Sequence, residues 1–333
     1  MARFKRVTAQ MSGVVNDPDG KYDVIWSPRP ALARGPNSKL YPPAPVQDVY
    51  FYPNNTNPLP SWEPARTLTA HVIKRDAFVR DAWGDYVGGW GGTANNRYAV
   101  DLGKVNVGVY IGAYLDLALQ NWNDGLWFED CHRVPAVFWK DYITDLASYA
   151  RFYDMFARIF SFMKGMGDWV INGAAHYYVP SIWGINKLEG VRGIGFEDTI
   201  GRRDYVDGQY VPMTFWFDSM RRSTCIAEAM GIKTDNDDRR ERYWRVVAAM
   251  CMITETPLLA TWMEPGQSND GALDHPFFDQ LDALGETKSG PYYRKGVWRR
   301  PCQNGIVYLN LGDAPVKMSR SLTVPALDAV IVN

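Results

Sequence analysis

The chain of 333 residues has only four cysteines, Cys131, Cys225, Cys251 and Cys302, and no CxxC pair among them. This spacing excludes a zinc ribbon and a small disulfide framework. Its four histidines, His71, His132, His176 and His275, form no HExxH. No metal and no other cofactor is expected. No GxGxxG follows an early strand, and "GGWGGT" does not open a helix, which argues against a dinucleotide or phosphate cradle. There is no run of about eighteen apolar residues, so no membrane partner is expected. "MARFKRVTAQ" has basic residues but no apolar core, and so does not read as a signal peptide. The expectation is a protein that is cytoplasmic at synthesis and leaves the cell, if at all, by lysis or inside a virion. Net charge is also lacking: 36 − 37 gives −1. No bulk field draws the chain to nucleic acid. Oligomeric state is not legible.

Aromatic residues, in contrast, are plentiful. They make up 14% of the chain, with 13 Trp and 19 Tyr. A ring-rich core and a cleft lined by flat rings are both consistent with that share, because Trp and Tyr combine apolar faces with a polar edge.

The pattern along the chain alternates strands with helices. Apolar runs bounded by turn signals predict strands near 7–15, 22–27, 48–53, 124–130, 168–173, 192–198 and 256–263, with an eighth near 280–290. Helical spacing is expected from Lys104 to about Trp122, from Phe138 to Gly167, from Pro212 to Gly231 and from Asp235 to Ile253. Pro212 suits a first turn and Gly231 a C-terminal cap. Helix then strand, repeated, implies parallel strands joined by crossovers. The fold expected is a (β/α)₈ TIM-like barrel over 1–290, with a doubly wound open sheet as the alternative. Residues 291–333, with Asn-Gly and Gly-Asp turns, read as a small C-terminal antiparallel β extension packed on the barrel.

Two segments carry the chemistry. "NDGLWFED" (Asn123–Asp130) and "RGIGFED" (Arg192–Asp198) share Gly, an aliphatic residue, one variable position and Phe-Glu-Asp. Barrel active sites lie where strands end. Side chains alternate along a strand, so Trp127 and Glu129 share one face, and Gly195 and Glu197 share the corresponding one. Glu129 and Glu197 are therefore the candidate catalytic pair. Glycosidic cleavage needs one carboxyl to protonate the leaving oxygen and another as nucleophile or base. Acids at strand ends also cap helices or pair with Arg, and Arg133, Arg202 and Arg203 are near. Asp130 and Asp198 suit that role or a place beside substrate.

The order of motifs resembles a known family. "RDAWGDYVGGW", "RYAVDLG", "DGLWFED", "WVINGA", "GIGFED", "TPLLATW" and "WRRPCQNGIVYLNLGD" follow one another as in the glycoside hydrolase-like TIM-barrel family known as the hypothetical glycosyl hydrolase family fifteen group. The likeness runs from about Tyr22 to Val324. It implies a barrel with glycosidase-like chemistry. The family's fourth-strand Asp falls on Glu129 and its Asn on Asp130, which leaves open which of the two moves the proton. Its sixth-strand acid falls on Glu197.

Other positions near strand ends are substrate-binding candidates: Asn172, with His176 and Tyr177 in the following loop; Trp262 and Glu264; Trp26; and Tyr52. Together they offer an aromatic and polar rim for a pyranose ring. Asp81 and Asp85 fit turns better than subsites. The function expected is hydrolysis of a polysaccharide or oligosaccharide, with carbohydrate as the partner. The competing reading is a catalytically silent barrel that binds glycans or serves as a structural part, such as a virion or tail component.

Overall fold

The computed structural model describes residues 3–9, 16–27, 33–41, 43–45, 48–60, 63–81, 83–88, 96–101, 104–118, 124–129, 168–172, 191–200, 205–206, 209–210, 213–222, 225–231, 237–262 and 275–333. The expected helix over Phe138–Gly167 lies outside them. In chain order the main strands are β1 (Arg6–Ala9), β2 (Val24–Trp26), β3 (Lys39–Tyr41), β4 (Pro43–Pro45), β5 (Asp48–Tyr50), β6 (Arg97–Ala99), β7 (Gly125–Glu129), β8 (Asp168–Asn172), β9 (Val191–Ile200), β10 (Cys225–Gly231), β11 (Leu258–Trp262), β12 (Tyr292–Arg294), β13 (Val297–Cys302), β14 (Gly305–Asn310) and β15 (Asp328–Val332). The helices used below are α1 (Glu63–Arg75), α2 (Val107–Ala118), α3 (Met213–Arg222), α4 (Asp237–Thr254) and α5 (Pro276–Ala283). The architecture is mixed α/β with parallel strands.

The chain divides into two compact units. One comprises 1–27, 31–39 and 196–333, and the other 28–30 and 40–195. In the first, β2, β1, β11 and β10 lie side by side and run parallel. Helix α4 packs against β10, β13, β14 and β15, and its second half, Val246 to Ile253, is buried all round. Such a segment has no polar stripe because protein surrounds it. Arg245 of α4 holds Asp328 of β15 through Nε to Oδ1 and Nη2 to Oδ2, each at 2.8 Å. Helix α5 begins on His275, whose Nδ1 accepts the Phe277 N–H at 3.2 Å, with Pro276 at its first turn. Pro suits that position because its missing donor would be unsatisfied there anyway. Strands β12 to β15 form a four-stranded antiparallel sheet in sequential order.

In the second unit β4, β7, β8 and β9 run parallel. Helices α1 and α2 pack together, and Leu68, Val72, Tyr110 and Tyr114 are buried. Strands β5 and β6 form a separate antiparallel pair. Beside it Phe51, Phe78, Tyr86 and Tyr98 build an aromatic cluster, with centroid separations from 4.9 Å for Phe51–Phe78 to 6.3 Å for Phe78–Tyr98. Asp81 is a turn residue: its Oδ1 accepts the N–H groups of Trp83 and Asp85 at 2.9 and 2.8 Å.

Four readings of local structure are corrected. The helix expected over Pro212–Gly231 stops at Arg222, and Cys225–Gly231 is a strand. "CIAEAMG" is rich in helix formers, but five of its residues, Ala227 to Gly231, pair with β11; tertiary pairing overrides weak local propensity. A strand does lie at Asp48–Tyr50, within the expected 48–53, but it pairs antiparallel with β6; the strand parallel to β7 is Pro43–Pro45. Its prolines lack N–H donors and mask it in sequence. Residues 280–290 hold the end of α5 and a lone bridge from Thr287 to Cys302, not a strand. Finally, α1 arises from a stretch where no helix is expected, with Ala65, Leu68, Thr69 and Val72 on its buried face.

Candidate active site

Strand β7 is set in register against the Leu40–Pro45 segment. At its start, Asp124 N–H donates to the Leu40 carbonyl at 3.0 Å, and Asp124 Oδ2 accepts the Leu40 N–H at 2.9 Å. This reciprocal clamp sets the register of β7 on the segment that becomes β4. At its other end the Cα of Glu129 lies level with Pro45, the last residue of β4. The Asp of "DGLWFED" thus opens the strand and the Glu closes it.

Trp127 is level with Pro43 on one side and Val170 on the other. Phe128 is level with Ile171, and the following residues, Glu129 and Asn172, end β7 and β8. Asn172 lies level with Gly195 of β9. Three sequence-chosen positions, Trp127, Glu129 and Asn172, thereby come together at one end of adjacent parallel strands. Beyond Gly195, β9 continues through Glu197 and Asp198 to Ile200.

In the other unit Val7 is level with both Leu259 and Val24. Trp26 and Trp262 close β2 and β11 and therefore sit at the same end, on either side of β1. Trp26 is only 6% exposed, so it serves packing at least as much as any ligand. Asp130, His176, Tyr177 and Glu264 lie outside the described residues.

Tyr52 falls in the loop after β5, where it lines a cavity of about 640 Å³ with Pro53, Asn54, Asn55, Thr56, Asn96 and Tyr98. None of these side chains is charged. Asn55 is committed to the loop, its Oδ1 accepting the Asn57 N–H at 3.1 Å. The Asn54 and Asn96 amides make no hydrogen bond among the described residues. Asn96 is in the left-handed region, φ 55°, and its carbonyl accepts the Phe51 N–H at 2.9 Å. Asn tolerates that conformation better than other side-chain-bearing residues. Sequence reading passed over Asn96 and Tyr98; the one signal was the Asn-Asn turn of "ANNRY". Amides and phenols without charge suit a neutral, hydroxyl-rich ligand.

Among the described residues no group of His, Cys, Asp and Glu is placed to hold a metal ion. No helix among them is long and apolar enough to cross a membrane.

No family model matches the chain, and no curated protein matches it. Solved structures with partial similarity include Aspergillus fumigatus Ega3 in complex with galactosamine, at 11% identity and a TM-score of 0.49, over 82% of this chain and 96% of that one. Another is α-L-fucosidase isoenzyme 2 from Paenibacillus thiaminolyticus, at 10% identity and TM-score 0.45, over 85% of this chain and 48% of that one. The chain thus spans about half the length of that fucosidase. A third is the α-N-acetylgalactosaminidase NagBb from Bifidobacterium bifidum in complex with GalNAc, at 9% identity and TM-score 0.45, over 92% and 56% of the two chains.

Proposed function

We propose that the protein is a glycoside hydrolase built on a (β/α)₈ barrel, with the C-terminal antiparallel sheet packed on it. Its catalytic pair is Glu129 and Glu197. The observation that carries this reading is the position of Glu129 as the final residue of a parallel strand, level with Pro45 and followed in the neighbouring strand by Asn172. Strand C-termini are where barrel enzymes keep their chemistry. The repeated Gly-x-x-Phe-Glu-Asp sequence adds the second carboxylate.

In the proposed reaction one carboxyl is the general acid and donates a proton to the departing glycosidic oxygen. The other attacks the anomeric carbon, or takes a proton from the water that does. We assign Glu129 as nucleophile or base and Glu197 as acid. Asn172, Trp127 and Trp262, with Trp26, Tyr52, Asp130, Asp198, His176, Tyr177 and Glu264, are assigned to the substrate.

The test is Glu129→Gln and Glu197→Gln on a substrate that the parent cleaves in a glycan screen. Each change keeps size but removes the transferable proton. Rates should fall at least ~10²-fold, the lower bound for losing general acid–base catalysis, with unfolding unchanged. Full activity in both variants moves the assignment to Asp130 and Asp198. A parent that binds a glycan and cleaves none is a silent carbohydrate-binding barrel.

A further inference from the structure

A second cavity, of about 480 Å³, lies among residues that the proposed reaction does not use: Arg221, Lys288 and Arg300 with Glu255, lined further by Thr254, Thr287 and Ser289. All belong to the first unit. Within that unit it lies away from Trp262. Arg221 lies in the last turn of α3, ahead of β10, and Thr254 and Glu255 precede β11. The cavity is therefore at the start of these strands, the opposite end from Trp262.

Its floor is an anchored cation. Arg300 is 5% exposed. Its Nη1 donates to the Ile253 carbonyl at 3.3 Å, near the end of α4, and its Nη2 pairs with Glu255. Glu255 occupies the left-handed position, φ 60°, just beyond the helix, while Thr256 N–H donates to the Cys251 carbonyl at 2.9 Å. That is a Schellman-type cap, whose left-handed position usually takes Gly because a side chain is strained there. Here the strained residue supplies the carboxylate that neutralises Arg300. The Arg300 Nε is buried and has no hydrogen-bond partner.

The rim carries the excess charge. Lys288 pairs with no carboxylate among the described residues. Arg221 reaches the exposed Asp218 only at 3.5 Å and stacks over the Trp298 ring, 4.5 Å from its centroid. The lining side chains carry three cations and one carboxylate, 3 − 1 = +2, with Asp218 outside the lining offsetting part of the charge on Arg221. The stacked guanidinium is held in place by the ring, which reduces the ordering cost of using its remaining donors.

We propose that this cavity binds an oxyanion, held by Arg221 and Lys288 above the Arg300–Glu255 pair. The group is a sulfate or phosphate, or the carboxylate of an acidic sugar. The test is calorimetric titration and thermal unfolding of the full chain with sodium sulfate, sodium phosphate and sodium glucuronate, at ionic strength held constant with sodium chloride. At least one should bind saturably and raise the unfolding temperature. Sulfate or phosphate binding identifies a tetrahedral anion as the ligand; glucuronate binding alone identifies an acidic sugar. The double variant Arg221→Gln/Lys288→Gln should weaken that binding at least tenfold. Without ligand the double variant loses only the Arg221 contacts to Trp298 and Asp218, so its unfolding temperature should stay within a few degrees of the parent's, and the readout is the loss of the salt-induced rise. No saturable response to any of the three salts overturns the proposal. So does a double variant that binds as the parent does.

Discussion

Glu129 lies level with Pro45 because Asp124, five residues earlier, exchanges two hydrogen bonds with Leu40. The acid that opens the strand therefore fixes the position of the acid that closes it. Asp124→Ala should destabilise the protein by about 1–2 kcal/mol, the cost of leaving a backbone donor without its partner. It should also lower kcat on a cleavable glycan more than it raises KM. Asp124→Asn keeps an acceptor and should recover most of both. Stability loss without a kcat effect would separate Asp124 from the positioning of Glu129.

Trp262 closes β11 beside Gly231. Replacing it by Ala should weaken glycan binding by about 0.5–1.5 kcal/mol if its ring stacks on a sugar, an interaction comparable to other aromatic contacts. Binding measured by titration calorimetry, alongside denaturant unfolding, decides this. Unchanged affinity with reduced stability would return Trp262 to the core.

The Arg245–Asp328 pair ties α4 to β15 with two parallel bonds, and Asp328 is largely buried. Asp328→Asn keeps the shape but removes the buried negative charge that Arg245 grips. A fully buried pair broken in this way costs 3–5 kcal/mol; with Arg245 partly exposed, about 2 kcal/mol is expected. Urea denaturation should show the loss as a lower midpoint at an unchanged slope.

His71 gives a pH-dependent contribution. Its Nε2 accepts the Asn106 N–H at 2.8 Å, which only a neutral ring can do. Burial, then the charges of Arg75 and Lys74, hold its pKa below the usual 6.5. The unfolded chain therefore binds a proton more readily, and stability rises with pH across this window. The contribution is present above about pH 6.5 and is lost as pH falls through the lowered folded-state pKa. His71→Ala should remove it, so that the stability difference between parent and variant shrinks by about 0.5–1 kcal/mol, one modest hydrogen bond, on moving from pH 7.5 to pH 5. NMR titration of the His71 ring checks the direction independently.

Local periodicity made several elements readable. "DGLWFED", "DWVINGA", "GVRGIGFED" and "TPLLATW" are short apolar runs between turn signals, and each contains a strand. The C-terminal strands follow from their Asn-Gly and Gly-Asp turns. These signals lie within a few residues of one another, so the sequence alone determined the elements and put Glu129 at a strand end. Pairing across long separations was not legible. "CIAEAMG" has helical composition and becomes a strand only because β11 offers it a parallel partner. "PAP" has too few donors to read as a strand, yet it runs level with Trp127–Glu129 across more than eighty residues of chain. The cavities at Tyr52 and Arg300 likewise join segments far apart in sequence. Register, burial and the meeting of distant charges depend on which surfaces the folded chain brings into contact. The tertiary structure alone decided them, because no local propensity encodes a contact between distant parts of the chain.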